Sequence, residues 1–352
     1  MLYILIAILM FGLLIAVHEF GHFFTAKLLG VKVNEFSIGM GPELFSRKKG
    51  ETQYSLRLLP IGGFCAMEGE EGDSSDPRSF ENKAAWRKVI ILVAGSFMNF
   101  LTGVVILLLL SIPARAYLLP VVSSFSEGYG LEDSGLQIGD RFLEIDGHPV
   151  WIFGDAKLLL DRAGDTVDVV VERDGARVVL DDLHIPYQER QTEQGMTRLR
   201  GINLGAVERP ATLLVKVEMS VKQSLDYVRM VWFSLGDLIR GAVGFQDLSG
   251  PIGIVNTIGE VGSQSATPMQ AVQNVMSLVA FIAINLAVMN LLPIPALDGG
   301  RIFFLLINTV VTLFTHKKLD PKYENAVNVA GFFCLLALMA VVAVNDVYKL
   351  IQ

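Results

Sequence analysis

Four apolar runs, at about residues 1–25, 89–112, 271–293 and 326–344, constrain this chain more than any other feature. Each is long enough to cross a hydrocarbon core of ~30 Å, and only a helix satisfies its own backbone there. A composition of 52% hydrophobic and 18% charged residues, with a mean hydropathy of +0.48, agrees with a multi-pass membrane protein. The first run lacks a basic leading region and an Ala-x-Ala-like cleavage site, so it reads as a span and not as a removable signal. The net charge of −7 and the lack of a long basic cluster exclude nucleic acid as a partner. Cys65 and Cys334 lie too far apart in sequence to suggest a disulfide framework or a thiolate metal site.

The first run does not stay apolar. It carries His18-Glu19-Phe20-Gly21-His22, the HExxH pattern. On a helix the two imidazoles stand one turn apart on one face and can reach a single ion, with Glu19 beside it to take a proton from water. Zinc accepts neutral imidazole and keeps an open position when three protein ligands hold it. A chance match would be costly here, because ionisable groups at membrane depth usually mark function.

Two histidines leave a catalytic zinc one ligand short. The third run ends in Asn290-Leu-Leu-Pro-Ile-Pro-Ala-Leu-Asp298-Gly-Gly, whose two prolines must break a helix. Broken backbone is tolerated at that depth where it is buried in protein or lines a wet cavity. Asp298 therefore reads as a site residue, with a helix N-cap at the membrane surface as the plain alternative. Asn99, near the start of the second run, and Asn290 are polar enough to bind substrate or a developing oxyanion, and equally to bond between helices.

Between the runs, residues 31–66 alternate short β-like stretches with glycines and predict hairpins. Residues 117–186 predict a strand closing on Asp146-Gly147, a helix over 153–162 and a hairpin about Asp174-Gly175. Residues 212–241 predict an amphipathic helix suited to a membrane surface. Arg301, Lys317, Lys318 and Lys322 between the last two runs, with Lys83, Arg87 and Lys88 before the second, predict cytoplasmic loops there. Both termini and residues 117–186 are then expected outside, with the HExxH end of the first span towards the cytoplasm.

Taken together, these motifs resemble the site-2 proteases, peptidase family M50, in their bacterial RseP-like branch. The resemblance also rests on Phe36-Ser-Ile-Gly-Met-Gly-Pro42, Tyr54-Ser-Leu-Arg-Leu-Leu-Pro-Ile-Gly-Gly-Phe64 and Leu248-Ser-Gly-Pro-Ile-Gly-Ile254. It implies an intramembrane zinc metalloprotease with His18, His22 and Asp298 as ligands and Glu19 as base. It further implies a β-element near the active site, one PDZ-like domain, and substrates such as anti-sigma factors already trimmed on the outside by another protease, or signal-peptide remnants. Ser96 stands where the family usually has proline in its Gly-Pro-x-x-Asn pattern. The resemblance thus implies a bacterial inner-membrane protein acting on single-pass substrates within the lipid bilayer.

The fold expected is a polytopic α-helical membrane protein of about four transmembrane helices, with a β-hairpin region and an inserted extracytoplasmic PDZ-like α/β domain. Its parts are residues 1–30 (first span), 31–87 (hairpins and cytoplasmic loop), 88–113 (second span), 117–186 (PDZ-like), 208–245 (interfacial helix), 270–300 (third span) and 325–349 (fourth span). A non-catalytic PDZ scaffold and a zinc transporter or sensor are the competing classes; the first needs no zinc and the second no glutamate beside it.

Overall fold

The first apolar run forms α1 (Leu2–Leu28), an uninterrupted helix with Lys27 in its last turn. The computed structural model describes residues 2–70, 74–131, 134–192, 195–205, 207–244, 249–316 and 321–351. It separates into two units, Met1–Leu107 with Tyr227–Gln352, and Leu108–Asp226.

In the first unit, α1 leads into a long hairpin of β1 (Val33–Lys49) and β2 (Thr52–Met67). Both strands bend, at Gly39 (φ 85°) and Gly62 (φ 92°), positions where a side chain would strain the backbone. The bends let residues 35–38 pair with 53–56 and also with 63–66, while 43–49 pair with 52–57. Two strands thereby make a four-segment sheet in which 63–67 is an outer edge. Among the described residues no further strand joins that edge. Arg57 ties the bend together, donating to Glu35, Ser37 Oγ and the Gly41 carbonyl.

The root of the hairpin is buried with the ends of two helices. Ala26, Val31, Val33, Cys65, Met67 and Phe80 pack with Ile91 and Leu92 of α2 (Ala85–Ser111). Close approaches at glycine fix α1: a Cβ at Gly12 would lie 2.5 Å from the Pro60 carbonyl oxygen, and one at Gly21 only 2.4 Å from that of Ala94. The hairpin's outer half instead exposes Met40, Leu44, Phe45, Leu56, Leu58 and Leu59, an apolar surface that suits lipid better than water.

The second unit is built from short strands. β3 (Ala116–Leu118) pairs with β12 (Glu208–Pro210), and β4 (Val122–Phe125) with β11 (Ile202–Leu204). A four-stranded sheet has the order β6-β5-β7-β8, from β5 (Arg141–Ile145), β6 (His148–Pro149), β7 (Thr166–Arg173) and β8 (Ala176–His184). α3 (Phe153–Arg162) falls where the sequence places it, and both Asp-Gly turns have φ positive at each residue. Phe142, Ile145, Val169 and Val171 form the core beside the buried Asp140, which accepts two bonds from Arg173. The unit continues past the expected limit of 186 through the hairpin of β9 (Gln188–Thr192) and β10 (Gly195–Leu199).

Three expectations change. The helix expected over 208–245 is α4 (Leu213–Ile239); β12 occupies 208–210, Thr212 accepts the Val215 N–H, and residue 245 lies outside the described residues. The 248–254 motif, to which the sequence assigned no element, runs into α5 (Pro251–Ser263), whose first residues it supplies, although Leu248 itself is not among the described residues. Its first turn is held by Asp346, buried in the last helix, whose carboxylate accepts the Gly250 and Gly253 N–H groups at 3.1 and 2.8 Å.

The third change concerns the segment 270–300 and the count of spans. α6 (Pro268–Asn290) stops before the prolines, residues 291–297 are not helical, and a new helix, α7 (Asp298–Thr315), starts at the aspartate. Beyond Gly300 the sequence contains no breaker until His316, which adopts φ 54°, so the expected short connection is itself a helix. α8 (Pro321–Ile351) follows; Lys317 and Lys318 lie outside the described residues. Among the described residues five helices, not four, are long and apolar enough to cross a membrane by length and composition.

Candidate metal centre

Helix periodicity alone brings the first two groups together. His18 and His22 are both buried, their rings meet edge to face, and their Nε2 atoms are 3.2 Å apart. Asp298 Oδ2 approaches them at 3.1 and 3.3 Å, and one ligand atom from each of the three residues lies within 4.8 Å of the others. Asp298 makes no capping bond to its own helix, whose N-cap is Leu297. Its side chain is turned into the cluster instead.

Second contacts orient the ligands. His22 Nδ1 lies 2.8 Å from the Ile91 carbonyl oxygen, an acceptor only, so Nδ1 carries the proton and the Nε2 lone pair faces His18 and Asp298. The Asn99 amide meets His18 Nδ1 at 3.4 Å, and its Oδ1 is buried with no other partner. If His18 Nε2 gives its lone pair to a cation, Nδ1 must donate, and the Asn99 oxygen is the acceptor that suits it; turning the amide over brings that oxygen to the Nδ1 proton. α2 also makes room: a Cβ at Gly95 would sit 2.4 Å from His22 Nε2 and 2.7 Å from His18 Cε1. Ile91, Gly95 and Asn99 are spaced four apart, so one stripe of α2 forms the wall behind the imidazoles.

Asp298 depends on contacts distant in sequence. Cβ atoms at Gly299 and Gly300 would lie 2.2 and 2.3 Å from the carbonyl oxygens of Leu292 and Ile294, so the Asp-Gly-Gly sequence lets α7 start tight against the broken segment. One turn on, Arg301 pairs with Glu70, which also accepts the Met67 N–H. That pair joins α7 to the exit of β2.

These groups face a cavity of about 620 Å³ lined by His18, Glu19, His22 and Asp298, by the edge residues Phe64 to Met67, and by Glu70 and Arg301. Glu19 is half-buried at its wall, with Gly63 against its stem. Asn99 and Asn290 do not line the cavity; Asn99 stands behind His18, and Asn290 is the last residue of α6. Burial pushes the Cys65 thiol pKa well up, which keeps it protonated and a poor ligand, and Cys334 is exposed on α8. Sequence reading assigned Gly95, Ile91, Glu70 and Arg301 no role at the site, Arg301 being read only as a loop residue. Four-residue spacing back from Asn99, and three-residue spacing on from Asp298, were the available signals.

Two imidazole lone pairs and a carboxylate oxygen that faces no hydrogen-bond donor repel one another without a cation between them, so the residues fit a metal ion. Their N,N,O donor set with one open side suits zinc.

Comparison with known proteins agrees. A model of peptidase family M50 matches residues 6–338. The chain is 36% identical over 348 residues to the "Putative zinc metalloprotease CPE1693" of Clostridium perfringens, covering 98% of each chain. It is 27% identical to the zinc metalloprotease RasP of Bacillus licheniformis and 26% identical to the regulator of sigma-W protease RasP of Bacillus subtilis, each alignment covering 97% or more of both chains.

Proposed function

The chain belongs to peptidase family M50, the site-2 proteases, and on that premise we propose that it cleaves membrane-protein substrates within or near their transmembrane segments, using His18, His22 and Asp298 as zinc ligands and Glu19 as base. It is a zinc metalloprotease and a bacterial multi-pass membrane protein. The observation that carries the residue assignment is the convergence of His18, His22 and Asp298 beside Glu19 in one cavity.

His18, His22 and Asp298 would hold the zinc, which would supply Lewis acidity to the scissile carbonyl and to an attacking water. Glu19 takes the proton from that water and passes it to the departing amine. Asn99 holds His18 in the tautomer that presents Nε2, while the sequence reading of Asn99 and Asn290 as substrate or oxyanion contacts remains the competing role. The free edge at 63–67 pairs with the substrate backbone and keeps it extended, since a helical peptide has its carbonyls engaged. The unit Leu108–Asp226 is the PDZ-like module, supported by its four-stranded sheet and α3, and filters substrates by the size of their outer domains. Substrates are single-pass membrane proteins or their remnants, and the Bacillus subtilis relative's name, which links it to sigma-W regulation, supports anti-sigma factors among them.

Glu19→Gln should keep zinc and lower cleavage of a tagged membrane substrate by about 10²–10⁴-fold, the range typical of a lost general base. A Glu19→Gln protein that cleaves at the original rate would sink the assignment. Deleting the outer unit should extend cleavage to substrates with intact outer domains; an unchanged preference argues against a filter. For topology, Arg301, Asn308, Thr312 and Thr315 share one face of α7, which suits the membrane surface and leaves four crossings with both termini outside. A C-terminal reporter active only in the cytoplasm should stay silent, and activity there means that α7 crosses.

A further inference from the structure

The third ligand begins a helix, and the residues before it are not helical, so its placement must be set elsewhere. Ala296, two residues before Asp298, has φ 71°, a left-handed conformation that a residue with a Cβ avoids. Two contacts from α8 surround this turn. Asn328 Oδ1 accepts the Ala296 N–H at 3.3 Å. Gly331, three residues further along α8, receives Pro295: a Cβ there would lie 2.4 Å from Pro295 Cβ and 3.2 Å from its carbonyl oxygen. Within its own segment the turn is closed by Gly299 and Gly300 against Leu292 and Ile294. The strained residue is thus gripped between the start of its own helix and a helix that supplies no ligand.

We propose that α8 is a positioning element for Asp298, in which Asn328 and Gly331 hold Ala296 in its left-handed turn and so aim the carboxylate at the two histidines. Asn328 touches no ligand and acts through the backbone. The inference rests on Asp298 being a zinc ligand, and concerns what holds it in place. Losing a group bonded directly to a ligand typically weakens metal binding 10–100-fold, and a support acting through the backbone is expected at the lower end of that range.

The test is zinc retention by the full-length detergent-purified protein against a chelator, with monodispersity and helical content as controls. Asn328→Leu, which keeps size and removes the acceptor, should retain zinc at least tenfold more weakly than the parent at unchanged helical content, in line with that range. Adding Ala296→Gly, which removes the strain Asn328 offsets, should restore retention; a bond needed only for general stability would not be rescued this way. Gly331→Ala, with Asn328 intact, should reproduce the loss, and it serves if Asn328→Leu does not fold. Parental zinc retention in Asn328→Leu or in Gly331→Ala, or failure of Ala296→Gly to rescue, overturns the proposal. Asp298→Asn separates the two readings: if it retains zinc like the parent, the ligand assignment falls, and if it loses zinc while Asn328→Leu does not, only the role of α8 falls.

Discussion

The two halves of the metal centre are built by different means. His18 and His22 lie on one unbroken helix, so the 3.2 Å between their Nε2 atoms follows from helical geometry and one flanking wall, α2. Asp298 sits 276 residues beyond His22 in sequence, at the start of a helix that follows seven non-helical residues, and its position draws on the broken segment, on α8 and on the Arg301–Glu70 pair. One half is local and needs only space and a tautomer. The other is assembled, and fails wherever a support is removed.

The comparison breaks most sharply on the local half through Gly95. Gly95→Ala puts a Cβ where His22 Nε2 and His18 Cε1 already lie within 2.4–2.7 Å, and neither ring can retreat along an unbroken helix. Zinc binding and proteolysis should both be abolished while the unit Leu108–Asp226 keeps its fold; zinc content by elemental analysis checks it, and a Gly95→Ala protein with full zinc means the wall is softer than its geometry.

A smaller effect is expected at Asn99. Asn99→Leu removes the acceptor behind His18 but leaves the rings their space, so zinc affinity should fall 10–100-fold while zinc-saturated protein keeps most of its turnover. The opposite pattern, normal zinc affinity with lost turnover at saturation, would return Asn99 to an oxyanion role.

The weakest expected effect lies at the hairpin exit. Glu68, bonded first by Lys32 and then by Ser74 and Asn34, has its pKa drawn down from the ordinary 4.5 to about 2. A carboxyl depressed in the folded state contributes stability above its unfolded pKa and loses it as pH falls from 4.5 towards 2. The group is only partly buried and reached by solvent, so screening keeps the contribution small. Acid titration should loosen this end of the hairpin within that window, and Glu68→Gln should flatten that part of the profile; an unchanged profile would show that the pair contributes nothing there.

Much of this was legible in the sequence for physical reasons. Hydrocarbon-length apolar runs can only be helices, and i, i+4 histidines on a helix must share a face. Asp146-Gly147 and Asp174-Gly175 dictated their turns, because few residue pairs accept two positive φ angles in succession. Less was legible where polar and apolar signals competed. α7 was hidden because its first turn reads as turn chemistry and its basic neighbours suggested a loop. The motif at 249–254 gave no hint that its glycines make room for Asp346, since a close approach from 93 to 96 residues away leaves no local pattern.

By itself the sequence determined that two histidines and a glutamate share one apolar helix of membrane-spanning length, because helix periodicity and lipid solvation act locally on residue order. It also determined the chemical character of every ligand, since donor type is a property of the side chain. Only the tertiary structure decided that Asp298 meets the two histidines, that Gly95 leaves the imidazoles their room, and that the edge at 63–67 borders the same cavity. Those are distances between segments far apart in the chain, and they are set by how whole helices and a bent hairpin pack together.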